Sequence, residues 1–104
     1  MELLLDFLDR TVDDPRISTA HISIYVALWK MWADEGKPES LRIKRKEVMK
    51  VGKVTGFTTY HKIIRQLHEY GYIGYDPTYN RHEGSRVYFT LEGIRKCKAM
   101  QQHM

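Results

Sequence analysis

The sequence predicts one mostly helical α+β domain with a small hairpin near its end. Apolar residues recur at helical spacing through most of the chain, and past Gly71 the pattern shifts to short alternating, aromatic-rich runs. A length of 104 residues with 42% hydrophobic and 29% charged side chains suits a single core and leaves too little for two.

In chain order, a first helix is expected over 2–10. Leu4, Leu5 and Leu8 lie on one side, and Asp13, Asp14 and Pro15 end it. A second helix should run from Thr19 to Asp34, capped by Ser18 or Thr19 and stopped by Gly36 and Pro38. It carries two apolar stripes, Ile22, Val26, Trp29 and Ala33 on one side and Ile24, Ala27, Leu28 and Met31 nearly opposite. Either the terminal helices cover the second side or a partner chain does. Residues 41–43, "LRI", suit a very short strand, and "KRKEVMKV" at 44–51 a short helix with Val48 and Val51 inward.

"GKVTG" at 52–56 reads as a tight connection into a helix of about 56–70. On that helix Tyr60, Ile63, Ile64 and Leu67 share a compact face that should pack on the second helix. Thr58, Lys62, Arg65 and Glu69 point the other way. "YIGYD" at 72–76 and "RVYFTL" at 86–91 read as the strands of a hairpin with a long, turn-rich tip. Thr90 then caps a last helix over 92–104, aligning Ile94, Cys97 and Met104.

Charge is unevenly placed. Residues 1–40 carry eight acidic side chains against four basic ones, whereas residues 42–66 carry eight basic ones against Glu47 alone, a local balance of +7. Such segregation points to a polyanion facing the middle of the chain. A lysine-rich solvated face would account for that run taken in isolation.

The stretch "RKEVMKVGKVTGFTTYHKIIRQLHEYGYI", 45–73, places a short basic helix, a glycine turn, a "TTY" helix start and an "L…GYI" exit in succession. It resembles the winged helix-turn-helix domain of small bacterial transcription regulators, including those of mobile elements. "VYFTLEGIRK" is similar to the wing strand and helix start of several such regulators, with the threonine here preceding the leucine. The resemblance covers roughly residues 18–103. It implies a winged-helix core with a two-stranded wing at 18–91 and a C-terminal helix at 92–104; with the helix and linker read at 1–16 and a length that suits one core, a single domain over 1–104 is expected.

The resemblance implies double-stranded DNA as partner. The helix of about 56–70 would enter the major groove, with Thr58, Thr59 and Lys62 meeting base edges or phosphates and Arg65 reaching guanine or phosphate. Lys44, Arg45, Lys46, Lys50 and Lys53 would anchor the backbone. The wing, about 76–86, would offer Arg81 and His82 at its tip beside Asn80, and Arg86 at its base, to the neighbouring groove. A homodimer follows as an expectation from the doubly apolar second helix and the apolar terminal helices.

Other chemistries find little support. No nucleophile elbow, phosphate loop or metalloprotease motif occurs, so no catalysis and no cofactor are expected. His61, Arg65 and His68 share a flank, but an arginine among them and the lack of a completing ligand argue against a metal. The lone Cys97 and the absence of a signal peptide or long apolar run point to a cytoplasmic protein. Thr58 and Thr59 are equally suited to a helix start, and Trp29 and Trp32 to a core or an interface. The rival function is a winged-helix module that holds a protein partner, for instance in replication or mobilisation. The effector and the target sequence are not legible in the residues.

Overall fold

The first, third and fourth helices all assemble on the second, and the last helix packs on the small sheet. The computed structural model describes residues 2–77 and 84–101. In chain order it contains α1 (Glu2–Thr11), α2 (Thr19–Asp34), β1 (Leu41–Ile43), α3 (Arg45–Gly52), α4 (Phe57–Glu69), β2 (Gly74–Asp76), β3 (Ser85–Tyr88) and α5 (Leu91–Gln101). The architecture is α+β and mostly helical.

Helix α2 has the bounds its punctuation predicts, with Ser18 in extended backbone at the N-cap. Its inner surface comprises His21, Ile24, Tyr25, Ala27, Leu28 and Trp32, against which α1, α3 and α4 all pack. The other stripe differs from the expectation of burial on both sides: Ile22 and Val26 are exposed, at 36% and 38%. Helix α1 covers the Tyr25 side instead. Phe7 stacks on Tyr25 with centroids 3.6 Å apart and meets Tyr72 edge-on at 5.3 Å. Phe7, rather than Leu5, is therefore the buried anchor of α1. Burying such a ring contributes roughly 1.5–3 kcal/mol.

Helix α3 is rotated from the expected setting. Val48, Met49 and Gly52 face inward while Val51 is 43% exposed. The Ser23 hydroxyl on α2 donates to the Gly52 carbonyl. With Gly52 drawn against α2, positions 48, 49 and 52 share the inner side and Val51 turns out.

Helix α4 buries Tyr60, Ile63, Ile64 and Leu67, and it packs on α2. Gly71, at φ +85°, ends it: the amide of Gly71 bonds the His68 carbonyl and that of Tyr72 bonds the Leu67 carbonyl. This left-handed helix exit favours glycine.

The expected two-stranded hairpin is part of a three-stranded antiparallel sheet of order β1-β3-β2. Strand β3 ends at Tyr88, and β2 begins at Gly74. Val87 pairs with Leu41 on one side and Tyr75 on the other, forming the buried row. The next row across is Arg42, Arg86 and Asp76. Gly84 enters β3 at φ +71° with its α-carbon so close to β1 that a β-carbon there would sit 2.4 Å from the Ile43 carbonyl oxygen. Only glycine fits that approach.

Helix α5 begins where Thr90 accepts the Gly93 amide at 3.0 Å, and it buries Ile94 and Cys97. Burial pushes the Cys97 thiol up to about 11, which leaves it a packing group. Met104, expected in line with them, lies outside the described residues. No described helix is long and apolar enough to cross a membrane.

Candidate nucleic-acid interface

The inner face of α4 is fixed by its apolar stripe, so its outer face is fixed too. Thr58, Lys62, Arg65 and Glu69 all project to solvent. A cross-link sets the helix's rotation on α2. The Ser18 amide donates to His21 Nδ1 at 2.9 Å, which leaves the proton on Nε2, and Nε2 donates to Gln66 Oε1 at 2.8 Å. His21 is buried at 4% exposure, and Gln66, at the other end of this polar bridge, is half-buried.

The head of α4 has no side-chain cap. Gly56 is the N-cap in extended backbone, and no side chain bonds the first-turn amides. Thr58 and Thr59 are both exposed, with hydroxyls not engaged as caps. The uncapped amides and the helix dipole favour an anion there.

Helix α3 and its flanks supply the cations. Lys44 is the N-cap of α3, and Lys53 its C-cap in a left-handed conformation at φ 59°. Between them Arg45, Lys46 and Lys50 are exposed. Together with Arg42, Lys62 and Arg65 they complete the eight basic residues of 42–66, every one exposed.

None of those eight forms an ion pair with a described residue. The pairs that do form lie elsewhere: Arg10 with Asp6, Arg16 with Asp14, Lys30 with Asp34, and Lys96 with Glu39 and Glu92. Asp6, Asp14 and Asp34 of the acidic N-terminal third thus pair with basic side chains of the same third, while the cations of the middle segment have no such partner among the described residues. Asp14 shows the contrast most clearly: the Arg16 guanidinium and the Tyr72 hydroxyl, 2.7 Å away, hold its carboxyl well below the usual carboxylate range.

Arg86 is placed differently from the rest. It is half-buried, and its guanidinium donates to Ser40 Oγ at 2.9 Å. It shares its row with Arg42, yet Asp76 sits on its other side. Arg81 and His82, with Asn80, lie outside the described residues.

Three participants carry no obvious signal in the sequence. Phe57 opens α4 with half of its surface exposed, and the Arg45 guanidinium lies 4.4 Å from its ring centroid. An aromatic residue directly after a helix-opening glycine, off the core stripe, is its one clue. His68 Nδ1 accepts the Tyr75 amide at 3.0 Å, and the Gln101 side chain donates to the Tyr75 carbonyl at 2.6 Å. These two side chains cover the outer edge of β2, which would otherwise present unpaired backbone. Burial and the nearby Lys98 charge lower the His68 pKa. Its ring serves the sheet edge, and no group of three His, Cys, Asp or Glu able to hold a metal occurs among the described residues.

Comparison with protein-family models, curated proteins and solved structures returned no match.

Proposed function

We propose that this chain is a winged helix-turn-helix protein that binds duplex DNA sequence-specifically, with α3 and α4 as the helix-turn-helix and the β2–β3 hairpin as the wing. Transcriptional regulation is the role this reading favours. The observation that carries it is the set of eight exposed cations over 42–66, unpaired among the described residues: Arg45, Lys46, Lys50, Lys62 and Arg65 on two consecutive helices, Lys44 and Lys53 at the caps of the first, and Arg42 on the strand before it. Surfaces facing water alone gain little from concentrating one sign of charge, whereas a polyanion gains from it through counterion release.

In this arrangement α4 lies in the major groove by its first turns. Thr58, Thr59 and Lys62 meet base edges or phosphates, Arg65 reaches further along, and Lys44, Lys46, Lys50 and Lys53 hold the backbone. Arg86, tied to Ser40, steadies the base of the wing rather than reaching outward.

The exposed Ile22 and Val26 support a two-fold dimer through α2, which would set two copies of α4 about one turn of DNA apart. Sedimentation of the wild type and of Val26→Glu tests this part: a dimer that the variant splits supports it, and a wild-type monomer at micromolar concentration removes it. The same two side chains favour the second reading, a protein-docking module with no role for the cations.

The deciding experiment is binding of labelled random-sequence duplex from about 50 to about 300 mM salt. Steeply salt-dependent binding that Lys62→Glu with Arg65→Glu abolishes supports DNA recognition. Absence of binding by the wild type at low salt rejects it in favour of protein docking.

A further inference from the structure

Arg45 opens α3 and Phe57 opens α4, and the fold brings these two helix heads into one stack, 4.4 Å from guanidinium carbon to ring centroid. Phe57 is 50% exposed, although Tyr60, Ile63, Ile64 and Leu67 already complete the inner face of α4. The core has no need of this ring. It borders a shallow depression of about 320 Å³ floored by Met49 and Val54 and rimmed by Lys46, Lys50 and Lys53. An apolar floor inside a ring of cations fits a polyanion that also carries an apolar handle. In the major groove of DNA that handle is the thymine C5-methyl group.

We propose that Arg45 and Phe57 form one base-reading unit for a thymine–guanine step. The Arg45 guanidinium takes guanine O6 and N7, the Phe57 ring takes the C5-methyl of the adjacent thymine, and Lys46, Lys50 and Lys53 hold the flanking phosphates. This assignment rests on the duplex-binding reading above and adds to it a residue pair and a target step.

The geometry supports the pairing of roles. A guanidinium bonded edge-on to guanine lies in the plane of that base. The Phe57 ring, 4.4 Å from the guanidinium carbon, is then within reach of the neighbouring base, one rise of about 3.4 Å along the strand. The ring also holds an otherwise flexible arginine in place before DNA arrives, which lowers the ordering cost of the contact.

The test removes one methyl group. Tight binders are selected from a random duplex pool with the full chain, and the thymine of the selected step is then replaced by deoxyuridine. Wild type is expected to bind the uracil duplex about fourfold more weakly, the worth of one buried methyl. Phe57→Ala is expected to bind both duplexes equally. Phe57→Leu keeps an apolar contact without a ring for Arg45, so it should retain the methyl preference and relax the guanine preference.

A selected motif lacking the thymine–guanine step overturns the assignment. So does a wild type indifferent to the methyl, or a Phe57→Ala variant as sensitive to it as wild type. Each of those outcomes leaves duplex binding intact. If wild type retains no duplex at about 50 mM salt, the binding reading fails and this assignment falls with it.

Discussion

His21 and Gln66 are joined by a 2.8 Å hydrogen bond that crosses from the buried side of α2 to α4. Because His21 Nδ1 is occupied by the Ser18 amide, the imidazole is fixed in one tautomer and one orientation. The α2 N-cap thereby sets the angle at which α4 presents its outer face.

Removing the Gln66 end should leave the buried His21 Nε2 unsatisfied, and removing His21 leaves the half-buried Gln66 amide without its partner. Gln66→Ala is expected to lower stability by about 1–3 kcal/mol, seen as a reduced denaturant midpoint with unchanged slope. His21→Ala should cost a similar amount, and the double variant less than the sum, because both changes break one interaction. Strict additivity in the double variant would count against the bridge.

His68 gives the fold a pH dependence whose sign follows from its environment. Burial, followed by the Lys98 charge, lowers its pKa below the ordinary 6.5, while Gln101, the Ile73 backbone and Glu69 oppose that shift. The unfolded chain therefore takes up this proton first as pH falls, so stability is highest above about pH 6.5 and declines toward the folded value. Protonation also removes the acceptor for the Tyr75 amide. Chemical denaturation at about pH 7.5 and about pH 5.5 should show wild type losing more stability than His68→Ala across that interval. Equal losses would place the titration elsewhere.

Local punctuation made much of this fold legible. Ser18 before the α2 pattern and Gly36 and Pro38 after it give that helix its bounds, and the 41–43 strand follows from apolar residues flanking Arg42. What sequence spacing leaves undetermined is long-range. Nothing within Leu41–Ile43 says that it pairs with Ser85–Tyr88, and nothing near His21 points to Gln66, 45 positions away. The inner side of α3 depends on where Gly52 touches α2, a contact that helical spacing within 44–51 does not encode, and it places Met49 rather than the expected Val51 inside. The basic run could be read directly, but its full exposure and lack of ion pairs to described residues are properties of the folded chain.

Gly84 is a second place where backbone approach governs stability. A β-carbon there would lie 2.4 Å from the Ile43 carbonyl oxygen, and the residue holds φ +71°. Gly84→Ala should cost about 1–3 kcal/mol and loosen the β1–β3 pairing first, since the clash falls at their junction. Amide hydrogen exchange should then rise across Leu41–Ile43 and Ser85–Tyr88 before it rises in α2. A uniform rise across the molecule would mean the strain is shared by the whole fold.

The two groups of cations should separate in their response to salt and to sequence. Lys46 and Lys50 on α3 are assigned to phosphates, which bind whatever the base sequence. Lys46→Ala and Lys50→Ala should therefore weaken binding to all duplexes alike, each reducing the slope of log affinity against log salt by about 0.9. Arg65 on the outer face of α4 is assigned to a base edge or a phosphate further along the groove. If it reads a base, Arg65→Ala should cost about 1–3 kcal/mol on the preferred duplex and relax selectivity at one position. If it holds a phosphate, it should behave like the α3 lysines. Measuring affinity on selected and random duplexes across the salt series assigns each residue by its pattern of loss. Should the α3 variants change selectivity while Arg65→Ala leaves both affinity and selectivity intact, α3 and α4 would have to exchange roles on the DNA.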